Sequence, residues 1–405
     1  MLYSIYHEMK PGIFFILVTL LDWNCSKEFP GNLEIYYLLV YLQTSIQFSP
    51  ENFSTGIYLD RSINLTFNHE LDASTITFQS ADGNCTGSIQ LSRDDFITCA
   101  GINITTADNR IFTIKPLHTF YEESIYTVRI TQEVKIRHNG MPIEAYRSGG
   151  FTTESLPHKS GLQIWFRANS ITSFANGDTI NSPWPDSSSN SWNAVPNNTP
   201  VYRTSVIEGK PAVTFDADYF KLPSASLGML KSVTGATGIV VFNSQKDSAF
   251  NQNTIDISNG LSAGSSRFNI VRTSEIEVTP NAHQVEGRKL DANAWQGIAG
   301  ASFVPGEFSI DTGILDYSND DGFIYKNGTL LASNTALAWT PGSTTEATDS
   351  VSITIGVQAN GTGEFLKGQI AELLVYNTAL AAAERTAIEC YLSRKYKISV
   401  IHTCN

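Results

Sequence analysis

The sequence is short of charge, and shorter still of positive charge. Charged residues make up 16% of the 405 residues, with 27 Lys and Arg against 39 Asp and Glu, a net charge of −12. No Lys/Arg cluster occurs anywhere. A polyanion needs a basic groove, so nucleic acid is excluded as a partner, and a bare anionic membrane surface is disfavoured for the same reason. Long apolar runs are lacking too. Gly12–Leu21 and Leu33–Leu42 are about ten residues each, half of the roughly 20 that a membrane-spanning helix requires. There is no CxxC and no His pair at ligand spacing, which argues against zinc. GxSxG, HExxH and Gly-rich phosphate loops are also missing, and the His residues are scattered singly.

What is present is Ser, Thr, Asn and Gly, a polar surface suited to β-structure with many turns. Five cysteines stand at Cys25, Cys85, Cys99, Cys390 and Cys404, and two pairs share one separation of 14. In an oxidising compartment this fits disulfides Cys85–Cys99 and Cys390–Cys404, each worth up to about 3 kcal/mol. In the cytosol the same residues would be buried thiols. The pairing leaves Cys25 over.

The run "FFILVTLLDWNCS" (14–26) has the length of a signal-peptide apolar region, and Met9 before Lys10 offers a true start. "MKPGIFFILVTLLDWNC" resembles a bacterial lipoprotein signal, which implies a diacylglyceryl thioether on Cys25. Asp22, Trp23 and Asn24 depart from the small residues that family prefers. Ordinary secretion with a free Cys25 is the second reading, and a core helix the third. The expected organisation is signal peptide 1–25, tether 26–47, a first domain over 48–154 and a second over 155–405.

In the first domain, period-two alternation places Ile63, Leu65 and Phe67 on one face, then Phe112 with Ile114, then Tyr126, Val128 and Ile130. Turns at "ADGN", "HNG" and "SGG" separate these runs, as in a small antiparallel sandwich. "GIYLDRSINLTFNHELDASTI", "IFTIKPLHTFYEESIYTVRITQEVKIRHNGMPIE" and "GGFTTE" resemble a bacterial Ig-like domain of cell-surface proteins. The resemblance implies a spacer or binding module without catalytic residues, and an inserted loop stapled by Cys85–Cys99. Asp94 and Asp95 in that insert read as a solvated turn or, less favoured, a calcium site. Tyr126 reads as a structural tyrosine bonded to backbone.

"ESLPHKSG" (154–161) reads as a linker. Beyond it "LQIWFRA", "GIVVFN", "SVSITIGVQ" and "AELLVYN" are strand-like, and about 240 residues of β-pattern fit a two-sheet jelly roll. One helix is expected within "TALAAAERTAIECYLSRKY", with Thr378 as N-cap and Leu380, Ile388, Tyr391 and Leu392 on one face. "LQIWFRANSI", "WPDSSSNSWNAVPNN", "GKPAVTFDADYFKLPS" and "GQIAELLVYNTALAAAERTAIECYLSRKYKI" resemble laminin-G-like, concanavalin A-like jelly rolls of bacterial surface proteins. The fold class expected is all-β: an Ig-like sandwich followed by such a jelly roll with one C-terminal helix.

Glucanases of that fold carry a strand reading Glu-x-Asp-x-x-Glu, because the reaction needs an acid and a second carboxylate close together. The nearest run, "SEIEVT" with Glu275 and Glu277 on one strand face, lacks the third carboxylate. Glu372 reads as structural. A glycoside hydrolase is therefore the minor alternative, and no catalytic residue is assigned. For calcium the candidates are Asp316, Asn319, Asp320 and Asp321, with Asp216 and Asp218, against an Asx-rich turn. For sugar stacking they are Trp184 and Trp192, although tryptophan is more often core. The functional expectation is an exported, lipid-anchored envelope protein, outer-membrane and periplasmic or surface-exposed, binding a glycan or a host or envelope glycoprotein. Alternatives are a secreted protein and a purely structural envelope role.

Overall fold

The computed structural model describes residues 44–262 and 264–404. The signal segment, Cys25 and the patch Leu33–Leu42 lie outside the described residues. Within them the chain is nearly all β, with an Ig-like sandwich, a jelly roll and one α-helix, Ala382–Tyr396. No described helix is long and apolar enough to cross a membrane.

The first sandwich follows from its alternation. Ile46–Ser49, Ile63–Phe67, Ile111–Pro116 and Ile102–Thr106 form one antiparallel sheet in that order. Register sets Leu65 opposite Phe112 and Ile63 opposite Ile114, so one apolar face is built from alternate residues. Ile89–Ser92, Ile125–Ile130, Tyr146–Arg147 and Phe151–Thr152 make the facing sheet. Phe120, Tyr126 and Phe151 fill the space between as an aromatic cluster, and Tyr121 N–H donates to the Tyr126 hydroxyl at 3.0 Å. Cys85 and Cys99 are disulfide-bonded.

The jelly roll stacks two sheets. One runs Val195–Asn197, Tyr219–Lys221, Ser352–Ile355, Gln252–Ser258, Ser266–Arg272, Ala282–Gly287, Gln296–Ser302. The other centres on Gly235–Ser244, flanked by Gly368–Tyr376 and Ser309–Asp316. That central strand is buried along its whole length, because both of its faces are covered. Val240 and Phe242 pack toward the first sheet, while Ile239 and Val241 pack toward the helix residues Ile388, Tyr391 and Leu392 and toward the first sandwich. A strand covered on both sides reads as a continuous apolar run.

Two expectations change at the helix and the linker. The helix begins at Ala382, with Ala381 as its cap residue, its N–H donating 2.9 Å to Glu384. Thr378 is not the cap: its carbonyl accepts from Thr237 Oγ1 instead. Segment 154–161 is packed, not free. Glu154 accepts from Arg394 Nε at 2.8 Å and Nη2 at 2.6 Å, and Leu156 joins a core continuous with both sandwiches. Cys390 and Cys404 are disulfide-bonded, tying the C-terminal tail to the helix.

The junction also holds buried charge. Glu122 of the first sandwich pairs with Arg167 at 2.5 Å and Lys395 at 3.1 Å, and Lys395 reaches Glu372 at 2.7 Å. Glu372 further accepts Trp165 Nε1 at 2.6 Å and the Tyr396 hydroxyl at 2.8 Å. Burial pushes the Glu122 carboxyl up, yet Lys395 and Arg167 together hold it below its ordinary range. Glu372 is structural by these contacts.

Candidate ligand site on the outer face of the seven-stranded sheet

Strand parity creates the site. Ile255, Ile270, Val285 and Ile298 stand opposite one another across four strands and face the core. Their neighbours must face outward, and register aligns Asp256 with Asn269, Asn269 with Glu286, and Glu286 with Gly297. Two residues back along the third of these strands, Gln284 shares the Glu286 face. A polar row therefore crosses the outer face.

Side-chain amides knit the row together. Asn269 Nδ2 donates to Glu286 at 3.3 Å and also to Asn253 Oδ1. Gln284 Nε2 donates to the other Glu286 oxygen at 2.6 Å. Asn253 Nδ2 donates to Glu364 Oε2 at 2.8 Å. Glu364 comes from the segment after Ser352–Ile355, which folds back over the sheet. Its carbonyl accepts Asn253 N–H at 3.1 Å, and Ala359 N–H donates to Asp256 Oδ2 at 2.8 Å. Glu364 is held at φ 55°, left-handed backbone that this fold-back imposes. Behind Glu286, Asp256 Oδ1 and Asn269 Oδ1 are buried without partners, both residues being 1% exposed.

On the opposite flank stands Trp295, 47% exposed. Two glycines leave its ring room. A Cβ on Gly297 would come within 2.9 Å of Trp295 Cζ3, and one on Gly264 within 2.4 Å of Cδ1. The Gly297 position is also 3.1 Å from Gln284 Nε2, so the ring borders the Gln284–Glu286 pair. Arg288, next along that face, is held by Asn259 Oδ1 at 3.1 and 2.6 Å.

The carboxyls are shifted in one direction. Burial, then Glu364 and Asp256, push Glu286 up to about 8. Burial with Glu364 nearby pushes Asp256 up to about 6, and burial with Glu277 raises Glu364. At neutral pH Glu286 thus keeps its proton and acts as an uncharged hydrogen-bonding group. An exposed indole beside uncharged amide and carboxyl groups can stack a sugar ring and bond its hydroxyls. A protonated carboxyl is also one half of a glycosidase pair. Here, however, both Glu286 oxygens already accept amide hydrogens from within the protein, and Asp256 Oδ2 accepts Ala359 N–H. These bonds favour the ionised forms and only partly offset the upward push of burial.

These shifts give a stability prediction. Between its ordinary value near 4.5 and about 8, Glu286 binds more proton folded than unfolded, so its contribution to stability falls as pH rises through that window. Glu286→Gln is expected to match wild type in urea unfolding at pH 4 and to exceed it at pH 9 by on the order of 2 kcal/mol. Equal curves at pH 9 would refute it. Lys210 Nζ, donating to Thr119 O at 2.8 Å at the junction and lowered to about 7 by burial and Lys395, acts in the opposite sense at higher pH. It cancels in the difference.

The residues singled out from sequence lie elsewhere. Trp184 is wholly buried, its Nε1 donating to Arg167 O at 2.9 Å and its ring against Phe166 and Phe220. It is core and offers no face to a sugar. Trp192 is half-buried against the same core. Asp316 closes an Asx turn, accepting Ser318 N–H at 3.0 Å, Ser318 Oγ at 2.6 Å and Asn319 Nδ2 at 2.8 Å. Asp320 pairs with Lys289, and Asp321 is raised by burial and by Asp316 and Asp320. Asp216 is exposed, whereas Asp218 is buried with Oδ1 unpartnered and is pushed up to about 6 by that burial. Among the described residues no three His, Cys, Asp or Glu side chains gather so as to hold a metal ion. Asp94 closes a turn by accepting Thr98 N–H at 2.9 Å, and Asp95 makes an exposed ion pair with Arg147. Glu275 and Glu277 are in a turn between strands, not on a strand face, where Asn251 Nδ2 donates 3.2 Å to Glu277.

Residues 44–153 match the family described as Bacterial Ig-like domain. No curated protein matches the chain. Among solved structures the chain is similar to the Ruminococcus gnavus IT-sialidase CBM40, at 14% identity over 56% of this chain and 100% of that one, TM-score 0.35. The same module bound to α2,3-sialyllactose matches at 16% identity over 41% and 88%, TM-score 0.33. The binding domain of botulinum neurotoxin serotype D/C matches at 14% over 59% and 53%, TM-score 0.36.

Proposed function

We propose that the chain is an exported cell-envelope protein, held in the membrane through lipid on Cys25, whose jelly roll binds a glycan without transforming it. The Trp295 ring, half-exposed beside the Gln284–Glu286 pair, carries this reading. The exposed ring offers a flat apolar face that a sugar's C–H face fits, while the amide and carboxyl groups beside it bond the hydroxyls. The excess of acidic charge speaks against nucleic acid. Two disulfides fit an oxidising compartment.

A glycan array with wild type and Trp295→Ala tests it. Binding by wild type and at least a tenfold loss in Trp295→Ala are expected, with an unchanged circular-dichroism spectrum. Flat responses from folded wild type would sink the reading, and release of shortened sugars from a bound oligosaccharide would overturn its non-catalytic part. The anchor is read by mass spectrometry of the mature N-terminus, where an acylated Cys25 is expected and a free thiol would refute it.

A further inference from the structure

We infer that the ligand residue held at this face is an amino sugar, recognised through its ammonium and hydroxyl donors and selected against sugars bearing a carboxylate. The inference rests on the glycan-binding reading of the same site. Its first support is a donor count. Both hydrogens of Asn269 Nδ2 are spent, on Glu286 and Asn253, and both of Asn253 Nδ2 on Glu364, while Gln284 Nε2 spends one on Glu286. Two buried acceptors are left over. Asn269 Oδ1, in the middle of the row between Asp256 and Glu286, is buried and unpartnered, as is Asp256 Oδ1. A buried acceptor without a donor is costly, on the order of 1–3 kcal/mol, and a ligand that donates removes that cost. A carboxylate ligand brings more acceptors and cannot.

The second support is charge. Three carboxyls, Asp256, Glu286 and Glu364, meet here with Glu277 beyond Glu364. Among the described residues no ion pair reaches any of the three, since the nearby cations are engaged elsewhere. Arg267 is on Asp291 at 3.1 Å, Lys367 on Asp247 at 2.6 Å, and Arg288 on Asn259. At pH 6.5 Glu286 still holds its proton while Asp256, at about 6, is largely ionised. The group without a countercharge therefore attracts a cation, whose arrival favours release of the Glu286 proton, and disfavours an anion. Trp295 favours the same outcome, because an indole face attracts an ammonium as well as a C–H surface.

The test titrates the full chain at pH 6.5, by calorimetry, with three probes: a glucosamine trisaccharide, its N-acetylated neutral counterpart, and sialyllactose. The expected order is amine-bearing tighter than neutral by about tenfold, and neutral tighter than sialyllactose by at least as much. Glu286→Gln/Glu364→Gln, checked as folded by circular dichroism, should shrink the amine preference to within about threefold. Sialyllactose binding as tightly as the neutral sugar, or a neutral sugar binding as tightly as the amine, overturns the inference while leaving glycan binding intact. An amine preference that survives the double substitution unchanged overturns it too, by removing the carboxyls from its cause. Loss of the glycan reading itself has a different signature: no saccharide binds, or Trp295→Ala binds all of them as wild type does.

Discussion

Lys395→Met is expected to lower the unfolding free energy by about 3–5 kcal/mol, the usual consequence of removing one partner from a buried ion pair. Lys395 is fully buried, 2.7 Å from Glu372 and 3.1 Å from Glu122. Methionine fills much the same volume, so lost packing does not account for the loss. The damage is that two buried carboxylates lose a shared cation. Arg167 still serves Glu122 at 2.5 Å, but Glu372 keeps only neutral donors, Trp165 and Tyr396. Because Glu122 belongs to the first sandwich while Glu372 and Lys395 belong to the second, the lesion sits where the two are joined. Thr119 Oγ1, which donates 2.6 Å to the Lys395 carbonyl, lies at the same seam. Calorimetry should show a lower midpoint, with most of the loss recovered in Lys395→Met/Glu372→Gln, which removes the unpaired charge. A single substitution with wild-type stability would refute the account.

The second large effect is expected inside the jelly roll, from Asp311→Asn. Asp311 comes from the sheet of Gly235–Ser244 and reaches across to Arg272 and His283 of the other sheet, with His283 Nδ1 at 2.6 Å and Ser309 Oγ at 2.7 Å. The Arg272 guanidinium is buried over the rings of Phe242 at 4.1 Å and Phe303 at 5.2 Å. Burial alone would push Asp311 up, but Arg272 and His283 hold its carboxyl below the ordinary range. Asparagine keeps the shape and discards the charge, leaving Arg272 unpaired in the core at a cost of about 3–5 kcal/mol. The pH dependence has a fixed sign. A carboxyl with a depressed folded value contributes stability above its ordinary value near 3.8 and loses it as pH falls below. The gap between wild type and Asp311→Asn in urea unfolding should therefore be full at pH 7 and narrow below about pH 4. A constant gap down to pH 2 would show that the charge is not the cause.

Much of this architecture is legible in the residues. Alternation at Ile63, Leu65 and Phe67 specifies a strand with one buried face, whatever it later pairs with, because side chains of successive strand residues must point to opposite sides. The equal spacing of Cys85 to Cys99 and Cys390 to Cys404 marked the two disulfides found among the described residues. The closing helix could be read from the buried stripe of Ile388, Tyr391 and Leu392. Its start could not, since Thr378 is as good a local cap as any and only its contact with Thr237 withdraws it.

The candidate site is different in kind. Outward parity of Asp256, Asn269, Gln284 and Glu286 is written in their own strands, where each sits beside an inward Ile, Phe or Val. That they form one row depends on the register of three strands, and Glu364 is added from a segment about a hundred residues later in the chain than Asp256. Local sequence cannot encode either. Nor can it separate two tryptophans: Trp184 is sealed between Phe166 and Phe220, while Trp295 lies in the open over Gly297. Sequence alone determined the class of most described strands and of the helix, because these are short-range choices of backbone and hydration; "SEIEVT", read as a strand and found as a turn, is an exception. Which polar groups meet, which carboxyls stay protonated and which ring remains exposed were decided by tertiary structure, because burial and proximity exist only once distant strands have paired.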